Sequence, residues 1–319
     1  MSLTRVRREP AATAPHHDAD PRIWAAALVT VVLWASAFIA IRGAAPYFDP
    51  GSMALLRMAI GSVALGVIVA RRGVRWPPRR AWPLILVWGL AWFCFYNLAL
   101  NTAEQVMDAG TAAMIVNLAP LIVVLIAGLV LSEGFPRALV VGAPVSFLGV
   151  ALIGAESWSG HVQWWGLALA LVAAILYAAC TLVQKHLLRS VDAATLTWLG
   201  ATAGAVALLP WTGALVPELH TAPIGATLSV VYLGIFPTAI AFTTWAFVLR
   251  RLSAGRTSAT TYVVPAVALV LSWAVLGETP TPITLLGGAL CLVGVFIAQA
   301  RRRRTAPAQI DVEPAPEAC

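Results

Sequence analysis

The sequence predicts an all-α polytopic membrane protein with ten transmembrane helices, arranged as two inverted five-helix repeats. Of its 319 residues, 60% are hydrophobic and only 11% are charged, which is about half the charged fraction of an ordinary soluble domain. The apolar residues form blocks of about 20, the length that crosses the hydrocarbon core of a bilayer. One stretch of 42 residues occurs twice, which predicts the two repeats.

Ten apolar segments follow one another along the chain. Backbone groups in lipid must satisfy their hydrogen bonds internally, and the alternating pattern of barrel strands is absent, so each segment is predicted to be a helix. The fifth segment is short, and Pro210 interrupts the seventh. The predicted limits are 23–42, 52–70, 81–103, 109–131, 138–155, 163–185, 193–214, 224–247, 256–276 and 282–300.

The basic residues predict the orientation of these spans. Nearly all of the 21 basic residues lie in the tails or in short loops on one side, including five arginines in 71–80 and four in 301–304. The five loops on the other side contain no lysine or arginine, and Arg42 is the one exception nearby. Because cytoplasmic loops are enriched in lysine and arginine, both termini are predicted to be cytoplasmic.

This charge distribution sets topology, so we expect no nucleic-acid partner in spite of the net charge of +7. The expected location is the plasma (cell inner) membrane, with the lipid bilayer and a small-molecule substrate as partners. The first apolar segment lacks a cleavage site and is expected to stay as an anchor. The four cysteines show neither a metal-binding spacing nor a disulfide framework.

The repeated stretch is residues 109–150, which align without gaps to residues 254–295, with nine identical positions. A shorter match relates WASAFIAIR (34–42) to YAACTLVQK (177–185). Since five spans per repeat is an odd number, the second copy enters the membrane from the opposite side. Inverted repeats of this kind are typical of secondary transporters, whose substrate site lies between the two halves. The matched pairs are Pro120 with Pro265, Glu133 with Glu278, Gly142 with Gly287 and Gly149 with Gly294.

The chain resembles the EamA family of the drug/metabolite transporter superfamily. The resemblance rests on WASAFIAIR, on LLRMAIGSVAL (55–65) and on the two Pro-x12-Glu segments followed by glycine, and it covers about residues 23–300. It implies ten helices around a central cavity, with repeat 1 at 23–155, repeat 2 at 163–300 and cytoplasmic tails at 1–22 and 301–319. It also implies transport, mostly export, of amino acids and related small metabolites.

Two prolines and two glutamates mark the repeated stretch. Pro120 and Pro265 lie about ten residues into their helices, close to the middle of the bilayer. A proline frees the carbonyl four residues earlier, so both are predicted to kink their helices beside the cavity. Glu133 and Glu278 lie at span ends, where capping or anchoring is the favoured interpretation and proton coupling the alternative.

Aromatic and amide side chains within the spans are the candidate cavity lining. An amide facing lipid would lack partners, so these groups are expected to face protein, water or substrate. Asn117 is the favoured contact among the asparagines, because it lies one turn before Pro120. The candidates are Trp34, Phe38, Tyr96, Asn97, Asn101, Asn117, Tyr177, Gln184, Trp245, Thr261 and Tyr262.

Three cations complete the candidate site. Arg57 lies about five residues into the second span, where a charge is costly without a partner. It either binds a substrate carboxylate or reaches the headgroups or a backbone carbonyl. Arg42 and Lys185 occupy equivalent places in the two repeats and are predicted near opposite mouths of the cavity, either attracting an anionic group or anchoring span ends.

All 14 acidic residues lie in tails, loops or span ends. Proton-coupled carriers often keep an ionisable residue inside the membrane. Transport is therefore expected to be facilitative or of the exchange type, unless it couples through a span-end group such as Glu104.

The predicted function is a secondary transporter that works by alternating access and moves small organic metabolites such as amino acids, as an exporter. The alternatives are an uptake carrier or exchanger for another metabolite or a drug, and a channel. Motifs for hydrolysis, nucleotide binding or redox chemistry are absent, so we expect no enzyme, metal or cofactor. The substrate, the direction, the coupling ion and the choice between monomer and homodimer stay open.

Overall fold

The structure is a computed structural model, and it describes residues 20–130, 137–155, 163–252 and 254–300. This part of the chain is helical and contains no β-strand. Glu133 lies outside the described residues. The helical segments are α1 (Pro21–Ala44), α2 (Pro50–Arg72), α3 (Arg79–Ala103), α4 (Ala109–Val116 and Ala119–Val130), α5 (Arg137–Ala155), α6 (Trp164–Leu187), α7 (Ala193–Ala207 and Leu209–Thr221), α8 (Ile224–Arg251), α9 (Ala254–Leu276) and α10 (Pro282–Ala300).

Six of these ten helices are long and apolar enough to cross a membrane unaided: α1, α2, α3, α6, α8 and α9. The two parts of α7 form a seventh span, bent by 49°. Apolar stretches shorter than 18 residues lie in α4, α5 and α10. Large apolar side chains such as Val63, Phe147 and Phe296 lie at the outer surface of the bundle, more than half exposed. The protein is a multi-pass membrane protein.

Aspartates fix where two equivalent helices begin. Asp49 precedes α2 and accepts a hydrogen bond from Gly51 N, and Asp192 precedes α7 and accepts from Ala194 N and Thr195 N. An N-cap carboxylate satisfies backbone N–H groups that the helix itself leaves unpaired. The second helix of each repeat therefore begins with an aspartate N-cap.

The inverted relation between the repeats is visible where α5 crosses α10. Ser146 donates its hydroxyl to the carbonyl of Cys291 at 3.0 Å, and the Cys291 thiol donates to the carbonyl of Ser146 at 3.4 Å. These two residues occupy equivalent positions in the repeated stretch. A reciprocal contact between equivalent residues requires a two-fold axis between them, so the axis that relates the two halves passes through this pair.

Glycines let the two helices approach at this crossing. A Cβ atom at Gly149 would lie 2.4 Å from the carbonyl oxygen of Gly287, and one at Gly294 would lie 2.5 Å from that of Gly142. Position numbers rise along α5 as they fall along α10, so the helices are antiparallel. Without a hydrophobic drive between helices in lipid, close packing of small residues is what holds such a pair together.

The third helix of each repeat contains a π-helical turn, at Leu90–Phe95 in α3 and at Gly234–Ile240 in α8. Each π turn accommodates one extra residue and shifts the direction of the side chains that follow. The fourth helices are interrupted just before their prolines. In α4 the α-helix stops at Val116 and resumes at Ala119, and in α9 a 3₁₀ turn spans Thr261–Val263 before Pro265.

Candidate functional site

A cavity lies between α1, α2, α3, α4, α6, α8 and α9. It begins at a group of aromatic rings in the middle of the bundle. From there it extends past Tyr96 and Leu100, on successive turns of α3, towards the end of the bundle where Arg42 lies. We call this the Arg42 end, and the opposite end the Lys185 end. The wall is formed by Trp34, Ala37, Phe38, Ile41, Arg57, Trp92, Tyr96, Leu100, Val116, Asn117, Tyr177, Phe242, Thr261 and Val264.

The aromatic cluster consists of Trp34, Trp92, Tyr177 and Phe242, and Trp245 packs against Trp34 and Tyr177 from outside the cavity wall. Trp34 packs edge-on against Tyr177 and Phe242, with ring centroids 5.9 Å and 5.4 Å apart. Trp92 lies 5.2 Å from Phe242 and 5.8 Å from Tyr177. Such interlocking rings form a rigid apolar surface that suits an apolar part of a ligand.

Arg57 contributes the cation of the cavity wall. Its side chain is 4% exposed, and Nε donates to the hydroxyl of Thr238 in the π turn of α8 at 3.0 Å. Two glycines make this approach possible, because a Cβ atom at Gly61 would meet the Thr238 side chain at 2.7 Å and one at Gly234 would meet the Arg57 carbonyl at 2.9 Å. The Nη1 group of Arg57 is buried and has no hydrogen-bond partner.

Polar groups beside the two helix interruptions also reach the cavity. Asn117 donates its amide to the carbonyl of Ala113 at 2.9 Å, whereas its Oδ1 atom is buried without a hydrogen-bond partner. Thr261 donates its hydroxyl to the carbonyl of Ser258 at 2.8 Å. The wall therefore combines a cation on one side with an unused amide acceptor on another.

The Arg42 end is held together by one guanidinium group. Arg42 Nε donates to Glu278 Oε1 at 2.6 Å, and Nη1 donates to the carbonyl of Glu104 at 2.8 Å. Glu278 also accepts from the Ser272 hydroxyl at 2.9 Å and lies 3.4 Å from Ala109 N. The contacts join the C-terminal ends of α1, α3 and α9 to the start of α4, so Glu278 anchors helix ends.

The Lys185 end is held by the equivalent cation of the second repeat. Lys185 Nζ donates to the carbonyl of Leu249 and, at 2.6 Å, to that of Leu252. Leu249 lies at the end of α8, which corresponds to the end of α3 where Glu104 lies. In both halves, a cation at the end of the first helix therefore binds a carbonyl at the end of the third.

Seven of the predicted lining residues do line the cavity: Trp34, Phe38, Arg57, Tyr96, Asn117, Tyr177 and Thr261. That they bind substrate stays a prediction. The other seven do not line the cavity in this conformation. Arg42 and Lys185 hold the ends of the bundle, and the Tyr262 hydroxyl is buried outside the cavity wall.

The remaining four predicted residues stabilise the wall from behind. Asn97 donates to the carbonyls of Trp92 and Phe93 at the π turn of α3. Asn101 donates to the carbonyl of Pro50 at 3.1 Å and joins α3 to the start of α2. Trp245 donates its indole N–H to Gln184 Oε1 at 3.0 Å, and both side chains are fully buried.

The sequence prediction missed seven wall residues, of which two are aromatic, Trp92 and Phe242; the others are Ala37, Ile41, Leu100, Val116 and Val264. Trp92 lies four residues before Tyr96, and Trp34 lies four residues before Phe38, so helical spacing from a predicted residue was a usable signal. Phe242 lies three residues before Trp245 and carries the same signal.

Glu104 is an unexpected feature of the Arg42 end. Its side chain is completely buried, and neither carboxylate oxygen has a hydrogen-bond partner. Burial raises the pKa of Glu104 well above its ordinary value, against the opposing effect of the Arg42 and Arg57 charges. The sequence prediction placed this residue at a span end, and the structure encloses its side chain there.

Two five-helix repeats related by a two-fold axis, with a cavity between them, define the inverted-repeat class of membrane carriers. The model of the EamA-like transporter family matches the chain twice, over residues 22–155 and 164–299. The chain therefore belongs to the EamA-like transporter family, as its sequence motifs predicted.

Comparison with individual proteins agrees with this assignment. The chain is 38% identical to a "probable terminal-alkyne amino-acid exporter" of Streptantibioticus cattleyicolor, covering 89% of this chain and 96% of the relative. It is 34% identical to an uncharacterized transporter, YdfC, of Bacillus subtilis, covering 82% of this chain and 86% of the relative. A solved crystal structure with 22% sequence identity superimposes with a TM-score of 0.63 over 88% of this chain and 98% of its own, which shows the shared fold.

Proposed function

We propose that the protein is an alternating-access carrier that exports small apolar amino acids and closely related metabolites. We place it in the plasma membrane with both termini in the cytoplasm, because the arginine-rich loops all lie on one side.

The unpaired Nη1 group of Arg57 is the observation that carries this proposal. A buried donor without a partner is costly, and a guanidinium is the side chain best matched to a carboxylate. The aromatic cluster offers a surface for an apolar side chain, and Asn117 Oδ1 offers an acceptor for an ammonium group. Carboxylate, ammonium and apolar side chain together describe a small amino acid.

The relative from Streptantibioticus supports the same substrate class, since it is named as a probable exporter of a terminal-alkyne amino acid, and a terminal alkyne is an apolar group. The two ends support the carrier mechanism. Arg42 and Lys185 hold them by the same kind of contact, so the two-fold related halves can exchange roles between states of similar energy.

Proteoliposomes containing the purified full chain test the proposal. Radiolabelled L-norvaline, its decarboxylated amine and its amide are compared in counterflow, in which unlabelled compound on one side drives labelled compound to accumulate. We expect saturable counterflow of norvaline and much weaker transport of the two compounds without a carboxylate. A hydrogen bond to a charged group contributes about 1.5–3 kcal/mol, so Arg57→Met should raise the half-saturating concentration about 10- to 150-fold.

Arg57→Lys keeps the charge and should lose less affinity than Arg57→Met. Arg80→Met removes an exposed arginine of the 71–80 loop and should leave norvaline affinity unchanged. Thermal unfolding of each variant in detergent shows whether it is folded. Arg57→Met with unchanged preference for norvaline over its amine would refute the role of Arg57, and non-saturable flux would identify a channel.

A further inference from the structure

We propose that Glu104 is a proton-binding site, through which the carrier exchanges one proton for each amino acid. This inference rests on the function proposed above and names its coupling ion.

The side chain of Glu104 has no structural role that the contacts of the described residues reveal. Its backbone carbonyl, and not its carboxyl group, receives the hydrogen bond from Arg42. Extending the 145-residue offset of the repeated stretch back by five residues pairs Glu104 with Leu249, whose carbonyl binds Lys185. The contact that holds the end of the bundle therefore needs only a backbone carbonyl, which a leucine also supplies. The carboxyl group of Glu104 has no part in this contact.

A buried carboxyl group without hydrogen bonds cannot be there for stability. An ionised carboxylate in such a place lacks both water and partners, which strongly disfavours the charged form. In this closed conformation, the group is therefore the neutral acid and carries a proton. Opening of the Arg42 end would bring water to Glu104, and its acidity would return towards that of an ordinary glutamate, with a pKa of about 4.3. At neutral pH the proton then leaves.

Charged groups of the neighbouring elements act electrostatically on this carboxyl group. Arg42 from α1 and Arg57 from α2 favour its ionised form, and Glu278 after α9 and Asp108 before α4 oppose it. Tyr96, on α3 itself, interacts with both Glu104 and Arg57. Arg42 is committed to Glu278 and Asp108 caps α4, which leaves Arg57 as the cation that links Glu104 to the cavity.

This link gives the exchange its direction. A zwitterion whose carboxylate binds Arg57 brings an ammonium group into the same neighbourhood, and ionised Glu104 supplies the negative charge that balances it. Protonated Glu104 supplies none. The proton and the ammonium group therefore compete. The binding site changes the side it faces with either the proton or the amino acid bound. With protons entering, amino acids leave.

The test uses the wild-type chain in proteoliposomes with L-norvaline as the probe and a pH-sensitive dye inside. One proton exchanged for one neutral zwitterion moves net charge, so potassium and valinomycin on both sides hold the membrane potential at zero. Norvaline should then accumulate about tenfold per pH unit on the side that is more acidic at the start, since one pH unit is a tenfold ratio of proton concentrations. Norvaline movement should also produce an opposite, sodium-independent proton movement. Glu104→Gln and Glu104→Leu should both remove the pH-driven accumulation while still carrying norvaline in counterflow, with reduced affinity.

Glu218→Gln is the matched control, because Glu218 lies near the same end and one of its carboxylate oxygens, Oε1, accepts from Asp49 N, whereas neither oxygen of Glu104 has a partner. It should behave as the wild type does. The proposal is overturned if Glu104→Gln still accumulates norvaline in response to a pH gradient, or if both Glu104 variants lose counterflow together with thermal stability, which would show a structural role. If the wild type itself shows no norvaline counterflow, the proposed function fails first.

Discussion

A methyl group added at Gly294 should weaken the crossing of α5 and α10 and thereby destabilise the whole bundle. The Cβ atom of Gly294→Ala would lie 2.3 Å from Ser146 Oγ and 2.5 Å from both Ser146 N and the Gly142 carbonyl oxygen. Two of these three atoms are backbone atoms, which a change of side-chain rotamer cannot move. Since ordinary contacts of a Cβ atom begin near 3.4 Å, the two helices must separate by about 1 Å.

The cost of that separation can be worked out from the packing. A gap of 0.5–1 Å forfeits roughly a quarter to a half of each dispersion contact across it. Overfilling a well-packed site costs about 1–3 kcal/mol, so the ratio of folded to unfolded protein should fall about 5- to 150-fold. The hydrogen bonds between Ser146 and Cys291 lie beside Gly294 and would lengthen as well.

Thermal and denaturant unfolding in a single detergent measure this loss. Gly225→Ala is the control, because a Cβ atom there would meet nothing within 4 Å. As a helical glycine replaced by alanine, it should stabilise the protein by up to about 1 kcal/mol. If Gly294→Ala unfolds at the same midpoint as the wild type, then α5 and α10 do not depend on this close approach and the reasoning is wrong.

Two further predictions follow from the helix ends. Arg42→Gln removes an ion pair and charged hydrogen bonds that stabilise the closed Arg42 end by about 1–2 kcal/mol. In a protein that also carries Leu100→Cys in the cavity, a thiol reagent should therefore label this cysteine about 5- to 30-fold faster when Arg42 is replaced. Equal labelling rates would show that Arg42 does not hold this end closed. Asp192→Ala removes the acceptor of Ala194 N and Thr195 N and should cost about 1 kcal/mol of stability in thermal unfolding, whereas an unchanged midpoint would mean that water replaces the cap.

The fold could be predicted because lipid leaves the backbone few choices. Blocks of about 20 apolar residues located the helices, and the limits differ from the observed ones by only a few residues in most cases. The largest difference is in α7, predicted to end at 214 and observed to continue to Thr221. Pro210 lies in a 3₁₀ turn at which the helix bends by 49° and then resumes, so the proline redirects the chain without ending the helix.

The site was only partly predictable, because residue type does not reveal the direction of a side chain. Asn97 and Asn101 were expected to face protein, water or substrate, and their amide partners are protein groups, the backbone carbonyls at the π turn of α3 and at Pro50. The π turn in α3 also shifts the residues after it by one position, or about 100° around the helix. The burial of Glu104 was not predicted, because a position at a span end does not reveal which neighbouring helices enclose the side chain.

The contact between Ser146 and Cys291 has a consequence for how the molecule can change over evolutionary time. It has the geometry of an isologous dimer interface, in which every substitution in a true homodimer would alter two symmetric places at once. Here the two repeats belong to one polypeptide, so a substitution in one repeat leaves the other unchanged. Serine and cysteine already differ across the axis, and glutamate at 104 corresponds to leucine at 249. Fusion lets a symmetric scaffold acquire a one-sided chemistry.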